Sequence, residues 1–276
     1  MKKYQLTLLS LCVAAFAQAK VTLPSFFTDN MVIQQNSQLT LPGKAKAGKQ
    51  VTVKVSWNHE KYTAKASADG HFSIEVPTPP AGGPYQIIVS DGEKLVLNNV
   101  LSGEVWICSG QSNMEMPVAG WGKVMNYEQE VADADYPSIR LLQVKKTVAF
   151  SPQDNVEMNM NGWQECSSAT VPEFSSVAYF YARKLWKELN VPVGVIDCTW
   201  GGTPAESWTS HQTLKQVMGF QKRMAEMESA GFQREKLVEL YHQEMDEWLQ
   251  QFDARDAGFK DGVPQWISAL QTGNGR

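Results

Sequence analysis

Glu104-Val-Trp-Ile-Cys108, followed at once by Ser109-Gly-Gln-Ser-Asn-Met-Glu115, is the stretch on which the fold turns. Its first half is a short apolar run closed by small and turn-forming residues. A buried strand of a parallel sheet reads this way, because both of its faces are covered. Ile139–Val144 and Pro192–Asp197 are two more runs of the same kind. Before the last of them, Ser175–Leu189 repeats Val177, Phe180, Tyr181, Leu185 and Leu189 at spacings of three and four, the period of a helix packed on one face. Short buried strands alternating with helices predict an α/β layer with a parallel sheet.

Upstream the pattern is different. Val51–Trp57 and Phe72–Val76 alternate apolar and polar residues, and Tyr85–Val89 is a further β-rich run. Period two is the mark of a strand with one face in a core and one in water. Turn signals at Pro42-Gly43, Ala47-Gly48, Asp69-Gly70, Pro79–Pro84 and Asp91-Gly92 separate these runs. Residues 20–100 are therefore expected to form an antiparallel β-sandwich. It gathers no convergent polar cluster, so its expected role is structural or substrate-orienting. Downstream of Trp208 the chain becomes charged and helical over 209–254. Leu237, Leu240, Tyr241, Met245, Trp248 and Phe252 form one apolar stripe, and Gly231 is a break from the preceding helix.

Lys2-Lys3, the apolar run Leu6–Phe16 and Ala17-Gln18-Ala19 give residues 1–19 the form of a signal peptide, which predicts export to the periplasm or beyond. That run is too short to span a membrane. The formal net charge of −4 and the lack of a basic run exclude a polyphosphate footprint, so no nucleic acid partner is expected. Beyond the leader the cysteines are Cys108, Cys166 and Cys198, too few and too scattered for a disulfide framework. Buried thiols are expected, with a Cys108–Cys198 bridge as the alternative. The four histidines are dispersed, and no metal or cofactor is expected.

Two loops sit where chemistry is favoured, each after a predicted parallel strand. Ligands of open α/β sheets bind outside the carboxyl ends of the strands. In the first loop Gly110 permits a tight turn and Ser112 stands at a helix start, where its hydroxyl and its own N–H can face a reacting carbonyl. The other reading of Ser112 is a helix cap, with Glu115 completing a capping box. In the second loop Gly201-Gly202 allows close backbone approach. Thr203 as cap, Pro204 as first helical residue and Glu206 two positions on predict a helix start.

Gly103–Glu115 resembles the nucleophile block of the sialate O-acetylesterase family, part of the SGNH (GDSL) hydrolases. Leu23–Gln35 resembles that family's opening strand, Ala81–Tyr85 its sandwich turn and Val191–Ser210 its second signature block. The resemblance implies a β-sandwich followed by a flavodoxin-like SGNH hydrolase domain with a parallel sheet, here its N-terminal part over 101–276. It implies removal of acetyl groups from a sugar by Ser112 as nucleophile. The oxyanion hole would use the N–H of Ser112 and one from Gly201, favoured over Gly202. Gln111 and Asn113 would fix the loop, and Trp200 and Trp208 would line the substrate site or pack against the adjoining helices. A non-catalytic glycan-binding protein and an acetyl xylan esterase are the alternatives.

The family's histidine base lies in a late D-x-x-H or D-x-H-P-like segment, and a W-Y-Q-G-E-S-like block adds a further oxyanion donor. Neither occurs among these 276 residues. Asp69-Gly-His71 is the one D-x-H, and it falls in a sandwich turn; His211 follows the second block but begins a surface helix. The expectation is a C-terminally truncated esterase of very low activity.

Overall fold

The computed structural model describes residues 20–149, 151–251, 259–260 and 263–264. The signal peptide expected over 1–19, Phe252 of the apolar stripe and the end of the helical segment lie outside the described residues. The chain divides into two compact units, one of residues up to 147 with 153–203, the other of 148–152 with 204 onward.

The first unit begins with β1 (Val32–Gln34), β2 (Gln38–Lys44), β3 (Gln50–Val55), β4 (Lys61–Lys65), β5 (His71–Pro77), β6 (Gly82–Ser90) and β7 (Lys94–Gly110). The alternation of β3 buries Val51, Val53 and Val55, and that of β5 buries Phe72, Ile74 and Val76. β2 and β5 form a small separate antiparallel sheet, while β4, β3, β6 and β7 pair antiparallel in that order. Leu41 and Val76 from the first sheet share one core with Val51, Val53, Ile87 and Val89 from the second. Burying each such side chain contributes about 1.5–3 kcal/mol. Pro42-Gly43, expected as a turn, instead lies inside β2 opposite Phe72 and Ser73. A Cβ on Gly43 would stand 2.4 Å from the Thr22 carbonyl oxygen and 2.6 Å from the Phe72 ring, so glycine serves close packing here rather than a bend.

β7 continues into a second environment. Up to Gly103 it pairs with β6 on one side and parallel with β1 on the other. From Glu104 to Gly110 it pairs parallel with β10. The expected change of pattern near residue 101 thus falls within one strand of 17 residues. After β7 come α1 (Ser112–Glu115), α2 (Tyr127–Ala132), β8 (Asp135–Gln143), β9 (Gln164–Ser167), α3 (Ser176–Leu189) and β10 (Val193–Thr199). β10 is parallel to both β7 and β8, and β9 closes the series antiparallel to β8. The result is one mixed eight-stranded sheet with helices, the α/β architecture expected.

Two details of the parallel layer differ from expectation. Helix α3 buries Ser176, Ala178, Tyr179 and Ala182, while Val177, Tyr181 and Leu189 are exposed. Small Ala178 and Ala182 let the helix approach the sheet, and with Tyr179 they set the buried face, while Phe180 and Leu185 are partly buried against the same core. In β7, Trp106 and Ile107 are 43% and 71% exposed. Among the described residues this part of β7 has β10 as its one strand neighbour, which leaves an uncovered edge and face.

The second unit holds a 3-10 turn at Ala205–Trp208, α4 (His211–Leu214), α5 (Gln221–Ser229), α6 (Arg234–Gln251) and an antiparallel pair of β11 (Phe259–Lys260) with β12 (Val263–Pro264). Gly231 lies between α5 and α6 with φ +60°, the left-handed geometry of a helix stop. Lys222 and Arg223 of α5 both pair with Glu244 of α6. Of the expected stripe, Leu237, Leu240 and Met245 are half-buried, while Tyr241 and Trp248 are exposed. Among the described residues no helix is long and apolar enough to cross a membrane.

Candidate active site

The two loops singled out in the sequence meet at the carboxyl edge of the parallel layer. Gly110, the last residue of β7, is in register with Thr199, the last of β10, and the Trp200 N–H donates to the Gly110 carbonyl at 2.9 Å. Gly110 has φ +143°, a conformation side chains disfavour, and it sends the chain from the strand into α1.

Gln111, not Ser112, is the cap residue of α1, and its side chain makes no capping bond. Ser112 is already helical, so the capping box with Glu115 does not form. Its half-buried hydroxyl donates to Gln111 Oε1 at 3.0 Å. Ser175, the buried cap of α3, anchors the loop from below by donating its hydroxyl to the Met114 carbonyl, and the Ser176 N–H donates to the Met116 carbonyl at 2.8 Å. Asn113 is exposed beside the serine.

The glycine turn packs directly on this loop. A Cβ built on Gly201 would lie 3.4 Å from the Ser112 Cβ and 2.7 Å from Glu115 Oε2, so any side chain there would push the Glu115 carboxylate aside. The Gly201 N–H donates to Glu115 Oε2, and the other oxygen of Glu115 pairs with Lys146. Gly202 has φ +78° and open space around its Cα. Trp200 is half-buried. The helix start expected at Thr203 does not form. Its hydroxyl donates back to the Trp200 carbonyl at 2.7 Å, and the short 3-10 turn begins after Pro204. A glycine turn followed by proline holds Thr203 back against its own loop, which removes it as a cap.

Next to Glu115 a polar cavity of about 290 Å³ is lined by Gln143, Lys146, Asp197, Thr199 and the exposed Trp121. Asp197 is 1% exposed; its oxygens accept from Thr199 Oγ1 at 2.6 Å and Gln143 Nε2 at 3.0 Å. Burial pushes its carboxyl above the ordinary carboxylate range, against those two hydrogen bonds, and the Glu115 charge adds to the rise. Neither Asp197 nor the Glu115–Lys146 link was anticipated. The one signal in the sequence was a charged residue ending an apolar strand.

Cys108, Cys166 and Cys198 are free thiols. Cys108 is in register with Asp197 and Cys198 with Ser109, so the two sulfurs project to opposite faces of the sheet and a bridge between them is excluded. Burial raises the Cys108 and Cys166 thiols to about 11 and about 12, which keeps both protonated at neutral pH. His71 pairs with Asp69 at 3.0 Å at the start of β5, and His211 with Glu228 at 2.9 Å within the second unit. The partner of the Ser112 hydroxyl is an amide, not an imidazole.

A strand-end serine packed on a glycine turn is a layout for acyl chemistry, and comparison with known proteins supplies the class. Residues 102–272 match the family model of carbohydrate esterases, sialic acid-specific acetylesterases, and the chain belongs to that family. It is 33% identical over 209 residues to the sialate O-acetylesterase of Pongo abelii, covering 69% of this chain and 39% of that protein. The Homo sapiens sialate O-acetylesterase is 32% identical over the same shares. A crystal structure of a carbohydrate acetylesterase from Xanthomonas citri superposes with a TM-score of 0.65 at 32% identity, covering 70% of this chain and 43% of that one. The chain spans about two fifths of the length of the curated relatives it matches.

Proposed function

We propose that this protein is a carbohydrate O-acetylesterase in which the Ser112 hydroxyl attacks the acetyl carbonyl. The observation that carries the reading is the packing of the Gly201-Gly202 turn on Ser112, across two parallel strands that end in register. In the attack, the Ser112 oxygen bonds to the carbonyl carbon, the carbonyl oxygen takes up negative charge, and the sugar hydroxyl then departs with a proton. Water then attacks the acetyl-enzyme, breaking the bond to Ser112, releasing acetate and returning a proton to the serine. Backbone N–H groups aimed at the developing oxyanion lower this barrier, each to the extent of about 10²–10³ in rate. Ser112 supplies one. Gly202 supplies the second, because the Gly201 N–H is engaged by Glu115.

Gln111 orients the hydroxyl through its side-chain oxygen, and Asn113 and Trp200 border the approach to it. A serine hydroxyl needs a base to take its proton. None of the described histidines is hydrogen-bonded to Ser112, so turnover by these residues alone is expected to be very low. The acetylated sugar is a sialic acid, a reading supported by the names of the matched relatives, and the leader-like N-terminus supports export.

The test is hydrolysis of p-nitrophenyl acetate and of O-acetylated sialic acid by this chain and by Ser112→Ala. The expected result is slow turnover that falls to the uncatalysed rate in the variant, a smaller drop than a complete triad would show because members of such a unit are not additive. Turnover equal in both proteins would remove Ser112 as the nucleophile. Preference for acetylated xylose over acetylated sialic acid would keep the mechanism and replace the substrate.

A further inference from the structure

On the reading of Ser112 as nucleophile, we infer that Glu115 is a positioning residue: its carboxylate, gripped by Lys146, holds the Gly201 amide and so fixes the glycine turn against the serine. Three chain segments meet at this one side chain. Glu115 ends α1, which follows β7; Lys146 comes three residues after β8; Gly201 comes two residues after β10. One carboxylate therefore ties together the ends of β7, β8 and β10. Its side chain is 15% exposed, which shields the bond to Gly201 more than the one to Lys146, itself 43% exposed. Both are charge-assisted, the stronger kind of hydrogen bond in proteins.

The Thr203 hydroxyl on the Trp200 carbonyl closes the turn on itself, and Glu115 is what ties it to α1. The backbone link from the turn to the nucleophile strand is the Trp200 N–H on the Gly110 carbonyl, which lies before the paired glycines. Gly202 has a left-handed φ, and a Cβ built on it would meet no atom within 4 Å. Without the Glu115 carboxylate the turn can rotate, and a displacement of about 1 Å at a catalytic group costs up to about 10²-fold in rate. The absence of side chains at Gly201 and Gly202 gives the clamp its purpose, since glycine is the residue that loses most order when untethered.

The test uses the full chain and a fluorophosphonate probe. Labelling forms a bond from the Ser112 oxygen to phosphorus, releases fluoride and passes the hydroxyl proton to buffer, so it reads the nucleophile and its amide donors without needing turnover. The rate constant of labelling and the thermal midpoint are measured for the wild type, Ser112→Ala, Glu115→Ala, Glu115→Gln and Lys146→Met. Glu115→Ala is expected to label roughly 10–100-fold more slowly at an unchanged midpoint. Glu115→Gln keeps an acceptor for the Gly201 N–H and should recover part of that loss, with Lys146→Met also between wild type and Glu115→Ala.

Equal labelling of Ser112→Ala and wild type would sink the nucleophile reading and the proposal with it. Labelling lost in Ser112→Ala but unchanged or faster in Glu115→Ala overturns the positioning role alone; a faster rate would mean the carboxylate obstructs the amide. Should Glu115→Ala unfold, wild-type rates in both Glu115→Gln and Lys146→Met overturn the proposal, and reduced rates in both support it.

Discussion

The two halves of β7 share a backbone and little else. From Lys94 to Ser102 the strand pairs with β6, β1 joins on its other side from Leu101 to Gly103, and Leu97, Val100 and Ser102 are 4%, 0% and 0% exposed. From Glu104 to Gly110 it has β10 as its one strand neighbour among the described residues; Ile107 stands in solvent, and Trp106 is partly covered by the Tyr181 ring of α3. The first half is anchored in the sandwich core, and the second carries the turn into Ser112. A reactive side chain is held best when its loop hangs from an element immobilised elsewhere. The sandwich thus contributes to the site without supplying a side chain to it.

The joint between the halves is Gly103, and it is where the comparison is most easily broken. The Glu104 N–H donates to the Pro192 carbonyl at 2.9 Å, and a Cβ on Gly103 would lie 1.9 Å from that same oxygen. Backbone cannot yield as a flexible side chain can, so Gly103→Ala must separate β7 from the entry to β10. The expected cost is about 3 kcal/mol or more, read as a loss of several degrees in thermal midpoint together with slower probe labelling of Ser112. An unchanged midpoint would mean that the two halves are not rigidly joined.

Paired truncations measure the contrast directly. Val100→Ala removes two methyl groups from a sealed position and should destabilise by about 2 kcal/mol in urea unfolding. Ile107→Ala removes more atoms at a position 71% exposed and should change stability by no more than about 0.5 kcal/mol. Similar losses in both variants would show that the second half is covered in solution.

The same contrast explains what the sequence disclosed. The alternations through Val51 and Phe72 were legible because each strand has one wet face, and period two records it. In the parallel layer both faces are generally covered and periodicity carries less. Helix α3 is legible, and Phe180 and Leu185 of its stripe do pack on the core, but the stripe misses the sealed Tyr179, Ala178 and Ala182, two of which weigh little on any hydrophobic count. Ser112 and the glycine turn could be found from their places after strands and from the family blocks. The Glu115–Gly201 bond could not, since it depends on β10 lying between β7 and β8, a spatial order no local pattern encodes. Lys146 was hidden for the same reason. The capping box that Ser112 and Glu115 suggest locally was displaced by the stronger tertiary partner.

Asp197 gives the smallest effect, a slope rather than a drop, and it belongs to the same edge. Burial raises its carboxyl above the ordinary 3.8, so between 3.8 and the raised value the folded chain holds a proton that the unfolded chain has released. Its contribution to stability is therefore fully present below 3.8 and is lost as pH climbs through the raised value. Exposed carboxylates such as Asp69, lowered to about 2 by Ser67 and His71, run in the opposite sense. Whole-protein stability mixes the two, and a difference isolates Asp197. Urea midpoints of the wild type and Asp197→Asn, followed from pH 3 upward, should show the wild type losing ground relative to the variant as pH rises. A parallel pair of curves would mean that the carboxyl titrates alike in both states, its hydrogen bonds to Thr199 and Gln143 balancing its burial.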